Sequence, residues 1–147
     1  MRILIGALFA LLASSASAQA AQNNWTVGHG ATGANTAMVQ TTRSGETFEV
    51  GVYCYDPETV YMYVKGFPFP TTPGLAAQVY VDDLKHFMIN MSVAAGGVPN
   101  GFATAPLVRE LIVGLEMQVQ FNGVSANFSL IGSARSLRNA LRTCFNE

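Results

Sequence analysis

From Trp25 onward the chain is written mostly in period two, with one dry face set against a polar or aromatic one. In Glu46 to Cys54 the side chains of Phe48, Val50, Val52 and Cys54 share one face. Glu49, Gly51 and Tyr53, continued by Tyr55, share the other. Thr59 to Lys65 repeats the pattern, with Val60, Met62 and Val64 against Tyr61, Tyr63 and Lys65. Leu115 to Phe121 and Val124 to Leu130 alternate on either side of Asn122–Gly123, and Asn-Gly between two alternating runs is the strongest short hairpin signal. Shorter strand signals lie at Asn24 to Val27, Thr36 to Thr42, Ala76 to Asp82 and Leu84 to Ser92.

Breakers separate these runs. Arg43–Ser44–Gly45 closes a hairpin, and Asp56–Pro57–Glu58 is a turn in which proline presets φ and aspartate bonds the backbone ahead. Gly66 to Gly74 holds three prolines and is expected as an extended surface loop, because proline offers no ladder donor. Gly96 to Gly101 is expected as a second loop. Thr104 then caps a short helix with Pro106 in its first turn, Leu107, Val108, Leu111, Ile112 and Leu115 at helical spacing, and Gly114 at its C-terminal stop. Ser133 is expected to cap a final helix, in which Ala134, Leu137, Ala140, Leu141 and Cys144 form an apolar stripe opposite Arg135, Arg138 and Arg142. Eight short strands with two late helices predict a mainly β fold. It is an antiparallel β-sandwich or barrel-like arrangement with two short helices near the C-terminus.

The first 18 residues follow a different rule. Arg2, the apolar run Ile3 to Ala13 and the small residues Ser14 to Ala18, with Ala16 and Ala18 at the A-x-A positions, read as a signal peptide. The run of about 11 residues is well short of the roughly 20 that span a bilayer as a helix. Residues 19–147 are therefore expected as a single β-rich domain without a transmembrane segment, periplasmic or secreted, from a Gram-negative bacterium.

Composition narrows the function classes. Of 147 residues 50% are hydrophobic and 12% charged, which excludes a disordered chain. A formal charge of −1 argues against a nucleic-acid partner. Two cysteines are too few for a four-thiolate zinc site. Export places them in an oxidising compartment, and both lie at core-facing positions, so a Cys54–Cys144 disulfide is expected over two free buried thiols.

Candidate chemistry is sparse. His29 sits between glycines; His86 with Asp82 and a serine would imitate a hydrolytic triad, but no Gly-x-Ser-x-Gly elbow exists. Asp82, Asp83 and His86 are the right types for a metal, yet a hairpin turn accounts for the aspartates. Gly96–Gly97 lacks the Lys and Ser/Thr of a phosphate loop. No catalytic, cofactor-binding or metal-ligating residue is assigned, and no cofactor is expected. Tyr53, Tyr55, Tyr61 and Tyr63 share one face of two consecutive strands and, with Phe67 and Phe69, form a candidate binding patch. The competing reading makes that face a second core layer beneath a loop or the helix at Pro106. Arg135, Arg138 and Arg142 are a candidate contact for an anionic surface, or the solvated side of an amphipathic helix.

Trp25–Thr26–Val27, Ala37–Met38–Val39–Gln40, Leu111 to Val119 (LIVGLEMQV) and Phe128 to Ser133 (FSLIGS), followed by Leu137 and Leu141, stand as landmarks along the chain. Their order resembles that of the invasion-associated locus B family of exported proteobacterial proteins. His29 and Thr36 stand where family members often have cysteines. The resemblance implies an exported, non-enzymatic β-protein and transfers no catalytic residue. The expected function is that of an envelope protein acting through surface binding, in an accessory or host-interaction role, with a protein or envelope component as partner. A periplasmic small-ligand carrier or inhibitor is the alternative, and a hydrolytic enzyme the third reading.

Overall fold

The computed structural model describes residues 24–69, 74–93 and 97–146; the predicted signal peptide lies outside them, as do 70–73 of the proline-rich loop and the start of the loop expected at Gly96. The described strands form two antiparallel sheets. Sheet A holds β1 (Thr26–His29), β2 (Asn35–Arg43), β3 (Glu46–Asp56), β4 (Thr59–Lys65), β7 (Ser92–Val93) and β8 (Pro99–Phe102), in the order β1-β2-β3-β4-β8-β7. Sheet B holds β5 (Ala76–Val81), β6 (Lys85–Asn90), β9 (Glu116–Phe121) and β10 (Val124–Ser129), in the order β10-β9-β5-β6. Of the two expected arrangements the sandwich is the one formed; the barrel-like closure is not.

Alternation builds the core as it should. Ala37, Val39, Val50, Val52, Met62 and Val64 line the inner face of sheet A and meet Val79, Val81, Met117, Val119 and Phe128 of sheet B in one cluster. The sheets join at a corner, where the chain leaves β6, passes Met91 and enters β7 of the other sheet. Beside it, a Cβ on Gly101 would collide with the carbonyl oxygen of Asn90, so only glycine lets β8 cross so closely. The expected loop at Gly96–Gly101 is thus corrected: Pro99 opens β8 and pairs with Val93 at a short edge, where a missing N–H costs little.

Sheet B covers only half of sheet A. Arg43 Nη1 donates to Ser125 O (2.7 Å) at one end of β10, and Trp25 Nε1 donates to Ser129 O (2.8 Å) at the other. Trp25 immediately precedes Thr26, the partner of Met38, so β10 ends near the middle of β2. These two bonds also satisfy backbone oxygens of an edge strand that would otherwise invite another chain. Over the remaining half of sheet A lie α1 (Ala105–Val113) and α2 (Ser133–Ala140), with α2 against β1, β2, β3 and α1.

Thr104 caps α1 as expected, its hydroxyl accepting from Leu107 N. Gly114 ends that helix in extended rather than left-handed backbone; a Cβ there would stand 2.6 Å from Val81 Cγ1, so close packing selects the glycine. Ser133 is not the cap of α2. Gly132 takes that place at φ 85°, while the buried Ser133 hydroxyl donates to Leu111 O (2.6 Å) and ties the two helices together. Cys144 lies beyond the end of α2 and is bonded to Cys54 near the end of β3, their Cα atoms 5.7 Å apart.

Candidate functional site

The outer face of sheet A carries the aromatic residues singled out from the sequence, and the fold divides them. β3 and β4 pair so that Tyr53 faces Tyr61 and Gly51 faces Tyr63. With no side chain on Gly51, the Tyr63 ring can lie across it; a Cβ at Gly51 would collide with ring carbons Cε1 and Cζ. The Tyr63 hydroxyl then donates to Glu49 Oε1 (2.5 Å), and Gln40 Nε2 donates to Glu49 Oε2 (2.6 Å). The loop between β1 and β2 folds over this group, and Ala31 N donates to the Tyr63 oxygen (3.4 Å). Gly30 approaches the same oxygen and Thr36 more closely than a residue with Cβ could. Tyr53 is buried beside it, its ring 6.2 Å from that of Tyr63 and 6.3 Å from that of Tyr61.

Tyr53 and Tyr63 are therefore a second core layer, and it is the Gly30–Ala34 loop, not the helix at Pro106, that folds over Tyr63. Phe67 is also buried, packed against Phe48 (4.9 Å) and Phe121 (6.2 Å) at the far end of the sandwich. Phe69 is exposed, but it belongs to that far end, where Asn122 Nδ2 donates to its carbonyl. Phe67 lies six positions along the chain from Tyr61 and beyond the end of β4, on the order of 20 Å at full extension. The six aromatic residues do not make one patch.

What remains open is a smaller strip. Tyr55, the extra residue at the bulge between Cys54 and Asp56, is 63% exposed and stacks on Tyr61 at 4.4 Å between centroids and 18° between planes. Opposite Tyr61 on β8 stands Phe102, 54% exposed. Sequence reasoning missed Phe102 because a run of Gly, Pro and Asn hid the strand that carries it. Asp56 borders the strip; its carboxyl is held below the usual carboxylate range, chiefly by the backbone N–H of Glu58 (2.8 Å).

Burial sets the titration of the covered tyrosines. The Tyr63 phenol is pushed far above its ordinary value, first by burial and then by the bond to Glu49; Tyr53 is raised by burial and by Tyr61 and Tyr55. In the unfolded chain both titrate near pH 10, so below about pH 10 their contribution to stability is complete. Above it the unfolded state loses these protons first, and stability falls until the folded phenols ionise too. Tyr63→Phe is expected to lower the slope of stability against pH above 10 by at most about 1.4 kcal/mol per unit, leaving the share of Tyr53. Alkaline urea titrations check this, and an unchanged slope would show that the phenol does not resist ionisation.

The remaining candidates separate too. His86 is exposed and stacks on Tyr80 (4.6 Å), with its Nε2 3.0 Å from Gln78 Oε1. Asp82 Oδ1 accepts from Leu115 N and Glu116 N, both at 2.9 Å, and so serves the backbone. Asp82 and Asp83 occupy the left-handed region (φ 52° and 56°) of the β5–β6 turn. Among the described residues no three His, Cys, Asp or Glu side chains gather as a metal site. Arg135 and Arg138 are exposed on α2, whereas Arg142 is exposed in the turn beyond it. No helix among the described residues is long and apolar enough to cross a membrane.

No family model matches the chain, and no curated protein matches it. A solved structure does. Invasion associated protein B from Bartonella henselae shares this fold with a TM-score of 0.58, over 82% of this chain and 93% of that one, at 13% identity. The resemblance carried in sequence by Trp25–Thr26–Val27 and the LIVGLEMQV and FSLIGS segments is thus present as a common fold.

Proposed function

We propose that this chain is an exported, non-catalytic envelope protein that recognises its partner through the Tyr55–Tyr61–Phe102 strip. One observation carries the reading: the Tyr55 phenol and the Phe102 ring stand largely in solvent on either side of the half-buried Tyr61, on which Tyr55 stacks, on a sheet whose next row of side chains is locked. Rigid aromatic groups with few rotamers lose little entropy on binding and dominate recognition surfaces. The disulfide favours export, because such bonds persist in oxidising compartments. The fold shared with a protein named for invasion supports a role in the envelope or toward a host. The carrier and enzyme readings gain no observation from the described residues.

The test is retention of envelope components on immobilised protein. Tyr55→Ala/Phe102→Ala is expected to reduce retention about tenfold or more, a loss of at least about 1.4 kcal/mol, without changing thermal unfolding. Arg135→Ser/Arg138→Ser/Arg142→Ser should retain the same components as the unaltered protein. If the aromatic variant holds its partners as well as the parent, the strip is not the recognition surface. Tyr63, offered by the sequence for the same patch, is unsuited to this test because its replacement disturbs the fold.

A further inference from the structure

A bulge decides which charged group stands beside the aromatic strip. Strict alternation would turn Asp56 away from Tyr55, toward the core side of the sheet. The register shift between Cys54 and Asp56 cancels that turn. Asp56 pairs with Thr59, which lies two positions before Tyr61 and therefore on the same side of β4. Tyr55 and Asp56 are thus consecutive residues that both project from the outer face of sheet A. Asp56 Oδ1 accepts from Glu58 N (2.8 Å), and the Thr59 hydroxyl adds a further bond, so the exposed carboxyl is fixed and ionised. Glu58, also exposed, stands in the same turn.

No cation of the chain answers Asp56 among the described residues: its carboxyl is held ionised by the backbone and hydroxyl groups of Glu58 and Thr59. Arg43 and Lys65 stand at the other end of sheet A, Lys65 on the order of 13 Å along β4 from Tyr61. Arg142 shares a cleft with Cys54, whose side chain packs on the opposite, core side of the sheet. The aromatic half of the arrangement is equally open. Tyr55 lays one ring face on Tyr61 and, being mostly exposed, presents the other to solvent. The face of a phenol ring attracts a cation. Of the two basic side chains, the planar guanidinium both stacks on a ring and bonds a carboxylate. An open phenol face next to a fixed carboxylate therefore complements arginine in charge and in shape, and it repels anionic groups.

We propose that the Tyr55–Tyr61–Phe102 strip, with Asp56 at its edge, docks an arginine-bearing segment of a partner protein. The guanidinium stacks on the open face of Tyr55 and donates to the Asp56 carboxylate, while Phe102 takes apolar contact on the far side of Tyr61. This inference rests on the strip being the recognition surface and adds the kind of group that surface takes.

Fluorescence anisotropy with labelled Gly-Ser peptides that carry arginine, glutamate or leucine tests this on the purified protein at low ionic strength. The arginine peptide is expected to bind about tenfold more tightly than either of the others, and to weaken as salt is raised. Asp56→Asn keeps an oxygen for Glu58 N and is expected to weaken that binding about threefold to fivefold. Tyr55→Leu keeps an apolar side chain but removes the ring face, and is expected to lose about as much. Asp83→Asn removes one negative charge from the distant β5–β6 turn and should bind like the parent. Should Asp56→Asn fold poorly, Tyr55→Leu and the ranking of the peptides on the parent decide. Equal binding of the three peptides, or of none, would overturn the proposal, as would equal losses in Asp56→Asn and Asp83→Asn. Retention of envelope components separates this failure from that of the strip. If Tyr55→Ala/Phe102→Ala loses them while Asp56→Asn and Tyr55→Leu hold them fully, the recognition surface stands and arginine is not its ligand. Full retention by the aromatic variant would remove the surface, and this inference with it.

Discussion

Removing the Cys54–Cys144 bond is expected to lower the free energy of unfolding by about 2–5 kcal/mol. The bridged residues are 90 positions apart, so the cross-link restricts a large part of the unfolded chain. Its effect on the folded state is local. α2 has eight residues, fewer than the roughly 12 to 15 at which an isolated helix becomes marginal in water. It persists because Leu137, Ala140 and Leu141 are buried, because Ser133 is bonded to Leu111 O, and because the chain just beyond it is fastened to β3. Urea unfolding of Cys54→Ser/Cys144→Ser should show a lower midpoint together with a steeper denaturant dependence, since an uncross-linked chain exposes more surface. Coincident curves for variant and parent would mean that packing alone holds the last helix.

Gly51→Ala is the second large effect, a destabilisation of about 3 kcal/mol from the addition of a single methyl group. The new carbon would occupy the space of the Tyr63 ring, so the ring must leave. Its hydroxyl then abandons Glu49, a buried carboxylate whose other oxygen is held by Gln40. A buried charge stripped of a hydrogen bond costs more than the bond itself contributed. A double-mutant cycle isolates the cause. In a Tyr63→Ala background the ring is gone, and Gly51→Ala should then cost under about 1 kcal/mol, giving a coupling above about 1.5 kcal/mol. Additive effects would mean that Gly51 is needed for its backbone and not for the ring above it. Gln40, Glu49, Gly51 and Tyr63 sit on one face of three neighbouring strands, yet nothing in their spacing along the chain announces the group.

That contrast runs through the candidate site. The hairpin from Asn35 to Asp56 was legible because Val50, Val52 and Cys54 keep strict alternation and Ser44–Gly45 supplies two positive φ values at the turn. The β9–β10 hairpin was legible for the same reason at Asn122–Gly123. The placement of Tyr53, Tyr55, Tyr61 and Tyr63 on the face opposite the core was also correct, since period two decides sides. Which of them meet water was not, because that depends on long-range packing, such as the loop about thirty residues before Tyr63 that folds back over its hydroxyl. Phe102 was hidden by the proline and glycines that ordinarily end a strand, though here they are what an edge strand crossing a sheet corner requires.

Alternation and turn chemistry act between neighbours, and they determined by themselves that this chain pairs into antiparallel strands, where most hairpins turn, and which residues can face the core. Sequence also placed both cysteines on the inward side, and the fold brings them within bonding distance. Only tertiary packing decided that a four-stranded sheet covers half of a six-stranded one while two helices cover the rest. It also decided that half of the tyrosine face became interior. Coverage of a second face is a long-range property, set by whatever the rest of the chain lays across it, and no local period encodes it.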